Sequence, residues 1–279
     1  MYKKTLFVLF VFSLAQVSNS QFVEPGDQLG LGKNSAKSLG ENYDLISERL
    51  TYDSLSKEGN TLHLKLGYQI GFGTYSMGSM KNINNQVSES IPFDTKIVDN
   101  FPGYLYFRPS ISLESAGYSI GLIYTFQSTG SRISAKDFSG EYLFDTKVLS
   151  TAPGIYGDIN ILSQKKSKLS IYSMTGLLFS KLKMHEFLTL QNSQVSNQNI
   201  DYKAQNYFLE PGLGYYYFLG SFSLGLNAGY FITIGSQTFY SGDNKKNVLH
   251  DYKNQQDVKP DWNGVRVGFS ILYTFRSKQ

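Results

Sequence analysis

The sequence contains no cysteine, so it offers no disulfide framework, no thiol nucleophile and no lipoprotein acylation site. It has one tryptophan and three histidines, His63, His185 and His250. The histidines share no ligand spacing, so no metal is expected. Beyond the first twenty residues, no uninterrupted apolar run approaches the roughly 20 residues that a spanning helix needs. The mean hydropathy of −0.25, taken alone, reads as a water-soluble chain. Charge of either sign is in short supply: 26 basic against 22 acidic residues, a net +4. Lys3 and Lys4 are the only charges in a leader expected to be removed; without them the net charge is about +2, which points away from nucleic acid or any other polyanionic partner.

What is present in excess is aromatic and glycine: 21 Tyr, 20 Phe and 26 Gly. Glycine-rich, aromatic-rich and of low average hydropathy is the composition of a membrane barrel, in which lipid-facing and lumen-facing residues alternate and the average cancels. The N-terminus has the layout of a secretory signal peptide over 1–20: Lys3-Lys4, a short apolar run, then Ser18-Asn19-Ser20 before Gln21. Residues 21–60 are polar and lack a clean period, and they read as a periplasmic arm. Within them Gly30-Leu-Gly-Lys33 fails as a phosphate loop, because Asn34 follows the lysine and the earlier glycine is missing.

The barrel is expected over 61–279. Its most regular piece is Gly264–Phe275, where Val265, Val267, Phe269, Ile271, Tyr273 and Phe275 occupy one parity and mostly small or polar residues the other. The same period of two recurs near 61–73, 104–113, 118–127, 207–218 and 222–234, and less regularly over 141–161 and 169–184. Pro109 inside the second of these either demotes the strand or implies a bulge. Asp145 and Lys147 fall on the apolar parity of their strand, which places them beyond the membrane.

Eight strands result. Their connections alternate long (near 78–103, 128–140, 185–204 and 235–262) and short (114–117, 163–168 and 219–221). The expected fold class is all-β, an eight-stranded antiparallel up-and-down transmembrane β-barrel with both termini in the periplasm. A water-soluble lipocalin-like barrel would need a polar exterior; here the second face is too rich in Gly and Ser to provide one. The charges expected in the lumen are Lys65, Arg108, Glu210 and Arg266, read as an ion-pair network filling a barrel too narrow for a large channel.

The alternation and the closing aromatic strand resemble the small eight-stranded outer-membrane proteins of Gram-negative bacteria, the OmpX- and OmpA-like barrels. The Tyr-rich strands and Gln21 look like the PorT-like barrel proteins of Bacteroidetes. The resemblance implies that Tyr273 and Phe275 form part of the signal read by the barrel assembly machinery, although Arg276–Gln279 follow them. Outer-membrane lipid is expected around the barrel, and the polar, Asn/Gln/Ser-rich long loops are expected to meet an envelope or extracellular partner. No cofactor and no catalytic residue is expected. Two alternatives remain: an outer-leaflet lipid-modifying or proteolytic enzyme, for which His250-Asp251 is a faint acid–histidine pair, and a narrow transport pore.

Overall fold

In a computed structural model the described residues are 62–91, 94–115, 117–191, 193–242 and 247–275, all within the compact unit Glu58–Gln279. The signal peptide and arm expected over 1–60 lie outside them.

Eight strands close a ring: β1 (His63–Gly73), β3 (Tyr104–Ser115), β4 (Tyr118–Lys136), β5 (Gly140–Gln164), β6 (Ser167–Leu190), β7 (Ser193–Leu219), β8 (Phe222–Ile234) and β12 (Gly264–Phe275). Each pairs antiparallel with its sequence neighbour in the ring, and β12 closes on β1 from Leu64 opposite Phe275 to Gly73 opposite Arg266. Short turns join β3 to β4, β5 to β6 and β7 to β8 at one end; the opposite end carries the other four connections, including the two longest. These are called the turn end and the hairpin end below.

The period of two sorts side chains as lipid would. Leu64, Leu66, Tyr68, Ile70 and Phe72 of β1 point outward and are exposed, while Lys65, Gln69, Gly71 and Gly73 of the same strand are buried. Leu122 is 60% and Ile171 53% exposed, and the outward apolar positions run around the whole wall. In water such a band would far exceed the few hundred Å² of contiguous apolar surface a soluble monomer shows. It is a membrane-spanning surface.

Glycine and tyrosine share the interior. A Cβ on Gly71 would meet the ring of Tyr106, and one on Gly212 the ring of Tyr172. The glycines make room for inward rings that fill a narrow barrel. The strand prolines do not bulge the wall. At Pro109 the β3–β4 pairing lapses between Phe107–Phe126 and Ser110–Ile123, then resumes in the same register; Pro153 and Pro211 leave similar gaps. A missing N–H removes a rung without adding a residue, so the bulge expected at Pro109 does not form.

Two of the four expected long loops are not loops. β4 and β5 continue to a tight turn at 137–139, where Asp137 Oδ1 accepts hydrogen bonds from the Ser139 and Gly140 amides at 2.7 and 3.1 Å. β6 and β7 likewise continue to 190 and 193. The reason is a switch of parity. Inside the membrane the apolar side chains face out. Above it the outward positions are polar, such as Arg132 and Lys183, and the apolar ones face in, such as Ile133, Tyr142, Phe144 and Leu182.

The other two hairpin-end connections fold over the mouth. The first carries helix α1 (Gly78–Ser90) and β2 (Lys96–Asn100), which pairs with β4 at residues 131–134. The last carries three two-residue strands, β9 (Tyr240–Ser241), β10 (His250–Asp251) and β11 (Gln256–Asp257). β9 pairs with Tyr202 and Lys203 of β7, and β10 pairs with β11.

Candidate functional site

The interior has three layers. At the turn end, Glu114 accepts from Lys65 and from Lys168 (2.8 Å), Lys168 Nζ lies 3.7 Å from Asp158, and Ser119 Oγ donates to Asp158 at 3.1 Å. In the middle, Arg108 and Glu210 meet in a two-pronged pair, Nη1 to Oε1 at 3.0 Å and Nη2 to Oε2 at 2.5 Å. Arg108 also donates from Nε to Thr125 Oγ1 (2.8 Å) and from Nη1 to Gln69 Oε1 (3.2 Å), and Gln69 Nε2 donates to the Tyr106 hydroxyl at 2.9 Å. Arg108 is 1% and Glu210 0% exposed, so the pair is fully removed from solvent.

The four charges expected to form one network therefore divide. Lys65 joins Glu114, not Glu210. Arg266 makes no ion pair among the described residues; its guanidinium lies 4.3 Å from the centre of the Phe231 ring, with Tyr75 and Tyr106 at 5.2 Å each. Such ring faces attract a desolvated cation. The residues missed, Glu114, Asp158 and Lys168, share the inward parity of their strands. Glu114 and Lys168 sit at strand ends next to turns, where a charge reads as solvated, and Asp158 sits in the least regular strand.

The third layer seals the hairpin end. Tyr75, Met77, Met80, Phe101, Phe208, Phe231, Phe239, Val258 and Trp262 form one buried apolar cluster with Leu178 and Leu182 of the wall. Phe208 and Phe231 stack at 5.0 Å, Tyr75 meets Trp262 edge-on at 4.9 Å, and Trp262 Nε1 donates to Ser180 Oγ at 2.9 Å. A second cluster, Ile133, Ala135, Tyr142 and Phe144, is covered by Val87 and Ile97.

On the roof, Ser79, Asn82, Asp251, Asn254, Gln256 and Asp257 line a polar cavity of about 310 Å³. Asp251 fastens α1 to the last connection: its Oδ1 accepts from Gln86 Nε2 at 2.6 Å and from the Asn254 amide at 3.0 Å. Burial pushes its carboxyl up, but the Gln86 and Asn254 hydrogen bonds outweigh this and hold it below the usual carboxylate range. His250 Nδ1 contacts Asp257 Oδ1 at 3.0 Å, so the histidine pairs with Asp257 and not with its neighbour Asp251. His185 Nε2 contacts Asn197 Oδ1 at 3.1 Å on the β6–β7 hairpin. Among the described residues, no group of three or more His, Cys, Asp or Glu could hold a metal. Tyr273 and Phe275 face outward at the turn end of β12, with their rings 4.8 Å apart and Tyr273 5.0 Å from Phe222.

Beyond the membrane band, β4 to β7 stand as a sheet. β2 covers its β4 side. On the β7 side β9 pairs only with Tyr202 and Lys203, and no described strand pairs with the outer edge of Ser193–Asp201.

Neither a protein-family model nor a curated protein matches the sequence. Among solved structures, a major outer membrane protein from Thermus thermophilus aligns over 77% of this chain and 100% of its own, at 10% identity and a TM-score of 0.46. The outer membrane protein OprG from Pseudomonas aeruginosa covers 80% and 99%, at 10% and 0.38. The outer membrane protease OmpT from Escherichia coli covers 79% and 100%, at 10% and 0.36. The chain is similar to these at a level that carries no argument about it; the eight-stranded transmembrane barrel rests on its own closed ring and outward apolar band.

Proposed function

We propose that this chain is an integral outer-membrane protein with a binding role, which holds its hairpin end outside the cell and both termini in the periplasm. The signal-peptide layout expected over 1–20, followed by a closed barrel, supports the location, since barrels with an apolar outer band belong to outer membranes. The Tyr-rich strands and Gln21 favour a PorT-like barrel of Bacteroidetes within that class. One observation carries the binding role: the wall does not stop at the membrane but rises as the β4–β7 sheet, with the edge of Ser193–Asp201 unpaired by any described strand. An open edge is a row of unused N–H and C=O groups, which a partner's strand can complete.

The apolar seal disfavours the transport reading, because a permeating solute would have to displace Trp262, Phe208 and Phe231. The enzyme reading needs a nucleophile, a base and an oxyanion donor converging on one point. His185 and His250 are held instead by Asn197 and Asp257 on separate hairpins, which favours a non-catalytic role. The test is a photoreactive side chain at Val195 in the native envelope, beside a chain shortened by removal of 186–197. The expected result is a discrete cross-linked partner that is lost with the hairpin while the barrel remains inserted. Ion conductance by the intact chain, or turnover of lipid or peptide that His250→Ala abolishes, would overturn the proposal.

A further inference from the structure

The outward face just above the membrane band carries an arrangement that sheet energetics disfavours. Lys147 of β5 lies directly opposite Lys183 of β6, and Lys181 of β6 directly opposite Lys203 of β7. Like charges facing each other across a strand pair destabilise the sheet. All four point outward, with the same parity as the lipid-facing Leu149, Phe179 and Tyr207. Toward the hairpin end, Lys147 stands two residues beyond Leu149 and Lys181 two beyond Phe179, about 7 Å along the strand, and their cross-strand partners Lys183 and Lys203 stand four residues beyond Phe179 and Tyr207 on their own strands. That height is where the headgroups of a surrounding lipid leaflet sit.

The carboxylates on the same face are already engaged. Asp145 takes two hydrogen bonds from Arg132, at 2.6 and 2.7 Å, and Asp201, which lies directly opposite Lys183, takes Lys181 at 2.7 Å, leaving two carboxylates among five cations on this face. Among the described residues, Lys147, Lys183 and Lys203 make no ion pair, and all three are exposed. Three ammonium groups thus cluster on one side of the barrel, directly above an apolar wall.

We infer that Lys147, Lys183 and Lys203 bind the phosphate groups of anionic lipid headgroups, with Lys181 and Arg132 completing the rim. Acyl chains would lie against Leu149, Leu177, Phe179 and Tyr207 while the phosphate meets the lysines. A lipid offers both halves of this surface, and a dissolved anion offers only one. The inference rests on the membrane reading above but not on which leaflet the hairpin end occupies.

The test reconstitutes the folded full chain into phosphatidylcholine vesicles and measures the association of spin-labelled phosphatidylglycerol against spin-labelled phosphatidylcholine. Insertion is followed separately by gel mobility, so failure to insert counts against the membrane reading and retained insertion isolates the lipid site. The expected result is a preference for phosphatidylglycerol on the order of fivefold, weakening with salt. In K147Q/K183Q/K203Q the preference falls to near parity while insertion is unchanged. Equal association of both lipids with the unaltered chain overturns the inference, as does a preference that survives the triple substitution. Displacement of the lipid by millimolar inorganic phosphate would show a free-anion site instead. Should the triple variant fail to fold, K183Q alone is expected to reduce the preference, since Lys183 lies at the centre of the patch.

Discussion

Replacing Glu210 by glutamine keeps shape and volume and removes one charge, which makes it the sharpest probe of the barrel interior. Glu210 and Arg108 are both buried and joined by two hydrogen bonds. Removing one partner of such a pair leaves the other charge desolvated, at a cost of about 3–5 kcal/mol. The glutamine amide would also point a donor at a guanidinium that needs an acceptor. Arg108→Met should cost a similar amount. Because both changes break the same pair, the double variant should be more stable than the sum of the two losses predicts, by about 2–3 kcal/mol. Coupling of Glu210 to Arg266 should be smaller, since Arg266 rests on Phe231 and not on the carboxylate. The assay is urea unfolding of the barrel in lipid vesicles, read by heat-modifiable gel mobility. Additivity of Glu210→Gln and Arg108→Met within about 0.5 kcal/mol would refute the reasoning, as would stronger coupling to Arg266 than to Arg108.

Replacing both Tyr273 and Phe275 with Asp should sharply reduce membrane-inserted protein, although the direct folding cost of charges near the interface is small; unchanged insertion in cells would show that these rings are not part of the assembly signal. A tag between Leu190 and Ser193 should be reachable on intact cells and one after Gln279 should not, and the reverse labelling would sink the topology. Trp262→Ala should cost about 3–5 kcal/mol by emptying a filled seal, measured in the same urea assay. For Asp251 the folded carboxyl titrates below its unfolded value, so its stabilising effect is full above the unfolded value near pH 4 and is lost as pH falls through the lower folded value. Hydrogen exchange in α1 should therefore quicken at acid pH in the unaltered chain and show no such step in Asp251→Asn.

Much of the wall was legible because lipid imposes the simplest pattern a sequence can carry. β1 and β12 match the expected strands to within a residue or two, since every second side chain from Leu64 and from Val265 is large and apolar. The upper wall was not legible, because crossing from lipid to water exchanges the apolar face for the polar one. A search for continued alternation of the same sense stops at Gln127, although β4 runs on to Lys136. The lumenal residues Lys65, Arg108, Glu210 and Arg266 were found by parity alone. Their partners were not, since strand order relates neighbours but leaves open who meets across the lumen: Glu210 reaches Arg108 from the other side of the ring. The lysine patch escaped notice for a different reason. Net charge averages over the chain, whereas Lys147, Lys181, Lys183 and Lys203 become neighbours only once β5, β6 and β7 are in register.

The seal over the mouth has a consequence for how assembly can be watched. Trp262, the single tryptophan of the chain, precedes β12 by two residues, and its edge-on partner Tyr75 follows β1 by two. β1 and β12 are the first and last strands of the ring, and their pairing is the step that turns an open sheet into a cylinder. Until that step Trp262 has neither Tyr75 nor Ser180, which belongs to β6 on the far wall. The indole therefore passes from water to a dry aromatic setting when the ring closes. Its fluorescence thus reports closure of the ring and needs no added label.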